Sequence, residues 1–381
     1  MHYRYLFRAL LFTISFISAS CVEIYEPEIV EHNPTYLVVN GILNLDGPTE
    51  ISLTYSTNIS STEPPPRVSE ALVEIQDSEN QTYGLNETAE GIYTAGADLV
   101  PDTQLQYRLH IVTAGKEYLS DFVEVKQTPP IDSVNFQGSE DGVDINISTH
   151  DPTGQSKYYK WNFTETWEYN ARFLSTYRMV EGVLMPKHRD EYAFTCYKTV
   201  PNDGVLIEST VRLREDRVSN FTLTTIPPAS DKVSRKYSVI IQQYVLTEEA
   251  YQYMELLRNN TEQIGGLFDP LPSQIQGNIY CISDPDDKAI GFFVATSIEE
   301  KRIFIKREDL PDSYPVFPSR ACIADTTIFQ PLVIYGSLES IIFPLFSTGT
   351  PPVASGFVSS STDCTDCRFF GGILTKPDFW D

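Results

Sequence analysis

The alternation of apolar and polar residues in the first third of the chain predicts short β-strands. Residues 36–43 form an apolar run rich in β-branched side chains, and a turn signal, Asp46-Gly47, follows it. A period of two then recurs at four places, residues 51–55, 72–75, 105–111 and 122–125. Short strands at this spacing over roughly ninety residues are typical of a sandwich, so we predict an immunoglobulin-like β-sandwich over residues 35–130.

A proline-bearing linker marks the predicted boundary between two units. Thr128-Pro129-Pro130 ends the strand pattern, because proline has no N–H group to donate to a β-ladder. Residues 131–381 then form a larger predicted β-rich domain. Its strand patterns lie at residues 143–148, 158–169, 205–213, 237–244, 289–296 and 302–306.

One helix is predicted inside this second unit. Thr247 has the residue type of an N-cap, and the two glutamates after it favour the positive end of a helix dipole. Ala250, Met254 and Leu257 recur at helical spacing, and Gly265-Gly266 ends the pattern. The predicted fold class is therefore mainly β, an immunoglobulin-like sandwich followed by a larger β-rich domain with one prominent helix.

The start of the chain has the three parts of a bacterial secretory signal. Arg4 and Arg8 give a positive segment, residues 9–17 are apolar, and small residues precede a cysteine. The apolar run is shorter than the roughly 20 residues that a membrane-spanning helix needs. Because Ser18-Ala19-Ser20-Cys21 resembles a lipoprotein cleavage site, we predict that residues 1–20 are a signal peptide and that the cysteine carries a lipid.

A plain secretory signal with a chance cysteine is the alternative, since lipoprotein sites prefer Leu where this chain has Ser18. Residues 21–34 have no periodicity and are predicted to be an acidic, extended tether. Glu23, Glu26 and Glu28 loosely resemble a signal that directs lipoproteins to the outer face of the membrane. The other interpretation, that tethers are simply polar, is equally open.

The mature chain is strongly acidic. Removing Arg4 and Arg8 from the 28 basic residues leaves 26 against 52 acidic ones, so the formal charge changes from −24 to −26. Neutralising phosphates requires clustered Lys and Arg side chains. We therefore predict no nucleic-acid partner and no binding to anionic headgroups through a basic face.

Five cysteines follow Cys21, and in an exported chain all of them are disulfide candidates. They are Cys196, Cys281, Cys322, Cys364 and Cys367. We expect Cys322 to pair with Cys364 or Cys367 and to fasten the C-terminal segment. Because five is an odd number, either at least one thiol stays free or the cysteines do not pair simply. The CxxC spacing at the C-terminal end also occurs in redox and zinc pairs, but no second CxxC or thioredoxin-like pattern accompanies it.

Three aromatic residues share one face of a predicted strand. Trp161, Trp167 and Tyr169 all lie at odd positions, so their side chains project in the same direction. Such a face suits a ligand platform for a sugar ring or an apolar nutrient. The same geometry also suits a face buried in a hydrophobic core, and both interpretations stay open.

The sequence contains none of the common catalytic motifs. It has no Gly-x-Ser-x-Gly elbow, no His-Glu-x-x-His helix and no phosphate- or dinucleotide-binding glycine loop. Its five histidines have no metal-ligand spacing. We predict no catalytic residues, no metal site and no cofactor. A hydrolase with an unfamiliar carboxylate pair is a further alternative, because a glycosidase needs only two acidic residues.

A set of segments spread along the chain forms a recognisable pattern. The segments are Asp151-Pro152, Tyr158-Tyr159-Lys160-Trp161, Gln243-Tyr244, residues 247–251, residues 267–274, Gly277-Asn278, residues 301–305 and residues 376–380. Together they resemble a lipoprotein family of Bacteroidota, domain of unknown function 4249, over nearly all of the mature chain. That family has no established activity to transfer.

The resemblance implies the setting of accessory lipoproteins that pair with TonB-dependent outer-membrane transporters. We therefore expect a non-catalytic lipoprotein of the outer membrane, at the cell surface, that acts as a partner or lid of such a transporter in nutrient uptake. A stand-alone surface glycan-binding or adhesive protein is the alternative. The ligand is not specified by the sequence.

Replacement of Cys21 by serine tests the lipid anchor. We expect Cys21→Ser to abolish labelling with radioactive palmitate and to move the protein into the soluble fraction, because serine has no thiol to carry the acyl chains that hold the protein on a bilayer. Ser20→Ala keeps the cysteine and should behave as the wild type. Unchanged processing and membrane fractionation of Cys21→Ser would contradict the anchor.

Overall fold

The structure is a computed structural model, and it describes residues 35–58, 61–180, 183–262, 276–315, 322–328, 341–346 and 354–380. This part of the chain is mainly β. Its strands are β1 (Leu37–Asn44), β2 (Glu50–Tyr55), β3 (Leu72–Asp77), β4 (Thr82–Ala89), β5 (Ile92–Ala95), β6 (Gln106–Thr113), β7 (Lys116–Ser120), β8 (Val123–Lys126), β9 (Ile131–Ser139), β10 (Gly142–His150), β11 (Tyr158–Asn170), β12 (Tyr177–Val180), β13 (Val183–Pro186), β14 (Thr195–Pro201), β15 (Leu206–Ser209), β16 (Arg217–Ile226), β17 (Lys236–Val245), β18 (Ile279–Cys281), β19 (Ala289–Thr296), β20 (Glu299–Lys306), β21 (Asp325–Ile328), β22 (Ile341–Phe346) and β23 (Ala354–Ser359).

Two α-helices accompany these strands in the described ranges, α1 (Glu248–Glu262) and α2 (Thr362–Thr365). Neither has the length and apolar composition that a helix needs in order to span a membrane.

Eight strands close into a barrel. Their hydrogen-bonded order is β6-β3-β4-β5-β2-β1-β19-β8, and β8 pairs back with β6. β19 runs parallel to both of its neighbours, β1 and β8. The strands β7 and β18 extend from β6 as a side branch. Alternate side chains fill the interior, and Leu43, Ile75, Ile111 and Phe293 are fully buried there.

The immunoglobulin-like sandwich predicted for residues 35–130 is not confirmed. Strands form there close to the predicted positions, but they close into a ring that includes residues 289–296. A period of two shows which face of a strand is buried, yet it does not show which strands are neighbours. Residues 279–296, which follow the predicted boundary at residue 130 in the chain, pair with strands that precede it.

A second unit is formed by two antiparallel sheets packed face to face. One sheet has the order β16-β10-β9, and the other has the order β14-β11-β17-β20 with β15 also paired to β11. Their inner faces share one core, in which the Trp161 ring of β11 stacks on Phe221 of β16 with centroids 4.7 Å apart. We call this unit the sandwich. A further sheet has the order β13-β12-β22-β23-β21. Its first two strands in the chain, β12 and β13, lie between β11 and β14, and the other three follow β20.

Helix α1 is confirmed and packs where the barrel and the sandwich meet. The Thr247 hydroxyl accepts a hydrogen bond from the Ala250 N–H group at 3.2 Å, which is the predicted N-cap. The buried face of the helix contacts Val294 of β19 and Ile207 of β15. The predicted stop at Gly265-Gly266 lies outside the described residues.

The linker between barrel and sandwich is held by the hydroxyl of Thr128. This oxygen donates to the Ser297 carbonyl at 2.6 Å and accepts from the Val245 N–H group at 3.0 Å. The Thr128 N–H group donates in turn to the Ser297 hydroxyl at 2.7 Å. Because Val245 precedes α1 and Ser297 lies between β19 and β20, one buried threonine joins three segments that connect the two units.

Gln243 continues this network under the two prolines of the linker. Its amide nitrogen donates to the Pro129 carbonyl at 2.8 Å and to the Thr149 hydroxyl at 3.0 Å. Its amide oxygen accepts from the Trp161 indole nitrogen at 2.9 Å. Thr149 donates to the Pro130 carbonyl at 3.1 Å. We call these five side chains the junction network, which consists of Thr128, Thr149, Trp161, Gln243 and Ser297.

A substitution at Thr128 tests the junction network. We expect Thr128→Val to lower the free energy of unfolding by about 1–3 kcal/mol, because it leaves the buried Val245 N–H group without an acceptor. Thr128→Ser keeps the hydroxyl, so its free energy of unfolding should fall much less. Urea unfolding monitored by tryptophan fluorescence measures both, and equal stability of the valine and serine variants would show that the hydroxyl has no such role.

Candidate functional site

The strand directions place one end of the sandwich far from the start of the described chain. β1 and β19 both run toward the junction network, since Leu45 N–H, just after β1, donates to the Thr296 carbonyl at the end of β19. The chain therefore enters the barrel at the end opposite the junction. β11 then leads from Trp161 in the network to Tyr169, roughly 26 Å at about 3.3 Å per residue.

A cavity of about 400 Å³ lies at this distant end of the sandwich, and we call it the head pocket. It is formed where β11 ends and where β17 begins, with the C-terminal segment as its opposite wall. The apolar part of the wall is made by Tyr169, Ala171, Phe194, Val233, Tyr314 and Phe370. Its volume falls within the usual range for small-molecule sites.

Two disulfides fasten the C-terminal wall of the head pocket. Cys196 of β14 bonds to Cys367, and Cys322 bonds to Cys364 in α2. Backbone hydrogen bonds add to them, with Cys367 N–H donating to the Ala193 carbonyl at 2.9 Å. The wall is therefore covalently attached to the sandwich.

The polar part of the wall carries opposite charges in unequal number. Three arginines come from three strand ends: Arg172 follows β11, Arg235 precedes β17 and Arg307 follows β20. Asp231 and Asp363 also line the cavity, so the formal charge of the described lining residues is positive by one. This is a local reversal in a chain whose formal charge is −24.

The three arginines differ in their partners. Arg235 donates to the Glu168 carboxylate at 2.6 Å, and Arg307 donates to the Tyr314 carbonyl at 3.2 Å. Arg172 is exposed and lies over the Phe173 ring at 5.9 Å, and it forms no hydrogen bond or ion pair with any described residue. Among the described residues that line the pocket, Arg172 is thus the arginine whose guanidinium group has no hydrogen-bond acceptor.

Two ionisable groups near the pocket have shifted pKa values. Burial raises the pKa of the Tyr314 hydroxyl. Burial alone would also raise the pKa of Asp366, but hydrogen bonds from Arg368 outweigh it and lower that pKa. Asp366 is therefore held as a carboxylate between the two disulfide-bonded cysteines Cys364 and Cys367.

The predicted aromatic platform lies in the core. Trp161, Trp167 and Tyr169 do share one face of β11, but they are 0%, 5% and 5% exposed. Lys198 and Lys232 lie over the Trp167 ring at 5.8 and 5.3 Å. These faces are not open to a ligand, so the core interpretation fits their position. Only Tyr169 reaches the head pocket, where its hydroxyl donates to the Cys367 carbonyl at 2.7 Å.

The cysteines differ in their roles. Cys322 is paired with Cys364, one of the two partners expected for it. Cys281, also a disulfide candidate, is a buried free thiol 3.3 Å from the Ser283 hydroxyl. The lipidation candidate Cys21 lies outside the described residues.

The arginines of the head pocket were not predicted from the sequence. A weak signal exists, because Arg172, Arg235 and Arg307 each lie within three residues of the end of a predicted strand. Antiparallel order of these strands brings the three ends together. In the described part of the chain, no group of three or more His, Cys, Asp or Glu side chains is placed to hold a metal ion.

Fold and site together define a β-rich protein with a barrel, a sandwich and a ligand-sized pocket at the disulfide-bonded end. The profile of the family described as a domain of unknown function, DUF4249, matches residues 22–302. The chain belongs to this family. None of the curated proteins matches it.

Among solved structures, the chain is similar to a DUF4785 family protein from Legionella pneumophila. The identity is 8% and the TM-score is 0.20, with 54% of this chain and 51% of that chain covered. The chain thus spans about half the length of that protein, and so low a TM-score supports no conclusion about fold or function.

Removal of each disulfide tests how the C-terminal wall of the head pocket is held. We expect the double variants Cys196→Ala/Cys367→Ala and Cys322→Ala/Cys364→Ala each to unfold at lower urea concentration. The first should lose about 1 kcal/mol more, because its cysteines are 171 rather than 42 residues apart and close a longer loop. Cys281→Ala, which removes the free thiol, should respond to reductant as the wild type does. If reductant does not lower the urea concentration at which the wild type unfolds, the disulfides do not have this stabilising role.

Proposed function

We propose that this protein is a non-catalytic, lipid-anchored outer-membrane protein that presents the head pocket away from the membrane. It acts as an accessory partner or lid of a TonB-dependent transporter in nutrient uptake, with the cell surface as its location. The single observation that carries the proposal is the position of the pocket. It lies at the end of the fold opposite the point where the chain from Cys21 enters the barrel.

The spacing between anchor and pocket suits a presenting role. The tether of residues 21–34 is acidic and proline-bearing, so it holds the barrel at a distance from anionic headgroups. Barrel and sandwich follow in series, joined by the junction network. A ligand or partner would therefore meet the disulfide-bonded end before it meets the barrel.

The choice of a transporter as the partner rests on two supports from the sequence. The first is the predicted lipid anchor at Cys21, and the second is the resemblance to accessory lipoproteins of outer-membrane uptake systems. The structure adds a reason for a binding role, since the pocket has a mainly apolar wall with a few polar groups, as small-molecule sites do.

A stand-alone glycan-binding or adhesive protein is the less supported candidate. That alternative depended on open faces of Trp161 and Trp167, and both rings are buried. A hydrolase would need two acidic residues facing one cavity with room for a sugar between them. Asp231 and Asp363 are the acidic residues among the described residues that line the head pocket, and they share it with three arginines.

We also propose that the immunoglobulin-like character belongs to the sandwich and not to residues 35–130. Three strands, β9, β10 and β16, face four, β14, β11, β17 and β20. Seven antiparallel strands in two such sheets are typical of immunoglobulin-related domains. The insertion between β11 and β14 supplies β12 and β13 of the additional sheet, whose strands β21, β22 and β23 follow β20, and the insertion between β17 and β20 supplies the returning strands of the barrel unit.

Co-purification tests the partnership. We expect a TonB-dependent transporter to be enriched when the full-length, tagged lipoprotein is isolated from detergent-solubilised outer membranes and analysed by mass spectrometry. The matched control carries residues 1–34 fused to an inert soluble domain, so it has the same anchor without the fold. No transporter enriched above this control would rule out the partnership.

A further inference from the structure

We propose that the head pocket binds a small organic acid, a carboxylate attached to an aromatic or aliphatic body. The inference deepens the proposed function, on which it rests for the idea that the pocket is a binding site. It names the chemical class of the ligand and the residue that recognises its charge.

The apolar walls determine the body of the ligand. Tyr169, Val233 and Tyr314 are 5%, 1% and 2% exposed and form a rigid base that belongs to the sandwich core. Phe194 and Phe370 pack against the same core and close the sides. A cavity of about 400 Å³ bounded by such side chains favours an apolar group of about the size of one or two rings.

The arginines determine the charge of the ligand. Guanidinium groups bind carboxylates through paired N–H donors, and Arg235 and Arg307 already use donors on Glu168 and on the Tyr314 carbonyl. Arg172 also lines the pocket, and no described residue accepts a hydrogen bond from it. An anion in the pocket would give Arg172 an acceptor that no described residue supplies.

The rest of the molecule makes this local charge selective. A chain with a formal charge of −24 repels organic acids from most of its surface, so an anion is retained only where arginines outnumber carboxylates. The head pocket meets that condition, with three arginines against Asp231 and Asp363. The same two aspartates leave an excess of only one positive charge among the described lining residues, which is too little for a polyanion such as a nucleic acid.

The disulfides fix one wall of the pocket to the rest of the fold. Cys322, Asp363, Cys367 and Phe370 belong to the C-terminal wall, which Cys196–Cys367 and Cys322–Cys364 attach to the rest of the fold. A wall fixed before binding lowers the entropy lost when a ligand is ordered in the cavity.

Three indole compounds of nearly equal size test the charge requirement by isothermal titration calorimetry on the full-length protein in detergent. They are indole-3-acetate, the neutral indole-3-ethanol and the cationic tryptamine. We expect the acetate to bind at least tenfold more tightly than the alcohol and tryptamine not to bind. Equal affinities of the three compounds, or no binding of the acetate, would overturn the proposal.

Arg172→Gln tests the residue assigned to the carboxylate. We expect about tenfold weaker binding of indole-3-acetate, the loss typical of one charge-assisted contact, with affinity for indole-3-ethanol unchanged. Arg212→Gln, an exposed arginine in the loop before β16, is the matched control and should bind as the wild type does. Equal thermal midpoints of the two variants verify folding, and undiminished binding by Arg172→Gln would overturn its role.

The outcomes separate this proposal from the function on which it rests. Enrichment of a transporter together with no binding of the acid would remove the ligand assignment and leave the partnership standing. Binding of the acid that depends on Arg172, with no transporter enriched, would remove the partnership and leave the site.

Discussion

The architecture depends on the buried hydrogen bonds of the junction network. The linker Thr128-Pro129-Pro130 contains two residues with no N–H group, so it cannot be held by a β-ladder. Gln243 and Thr149 supply donors to the two proline carbonyls, and Thr128 joins Val245 to Ser297. Unpaired polar groups at this depth would be costly, so the network allows one arrangement of barrel against sandwich.

The returning strands increase the importance of that junction. The chain leaves the sandwich after β17, adds β18 and β19 to the barrel unit and comes back as β20. Three chain segments therefore cross between the units, and a hinge at Pro129 alone could not move one unit without disturbing β19. Asn278 reinforces the return, since its amide exchanges hydrogen bonds of 3.0 and 2.8 Å with the Phe293 backbone. A pocket at the end of the sandwich is consequently carried on one connected framework.

The sequence predicted the positions of many strands and of the helix well, but it did not predict which strands pair with each other. Strong apolar runs such as residues 237–244 and the capped helix after Thr247 are local features, and the structure has them where the pattern indicated. Strand β4 (Thr82–Ala89) was not predicted, because most of its side chains are polar and exposed. The ring closure by β19 could not be predicted, since a contact between residues 43 and 295 leaves no trace in local periodicity. Trp161 and Tyr169 show the same limit, because a shared strand face indicates neither core nor platform.

The head pocket explains why its residues carry so little sequence signal. Arg172, Arg235 and Arg307 lie beside strand ends and are separated by more than sixty positions. The antiparallel order of β11, β17 and β20 brings them together. In an acidic chain, repulsion among carboxylates favours placing such residues where they offset a nearby negative charge, as Arg235 does with Glu168. Arg172 departs from that pattern, since it has no carboxylate partner among the described residues. A residue that gains little for the stability of the fold is better explained by binding, which is why the pocket is the feature that connects this scaffold to a function.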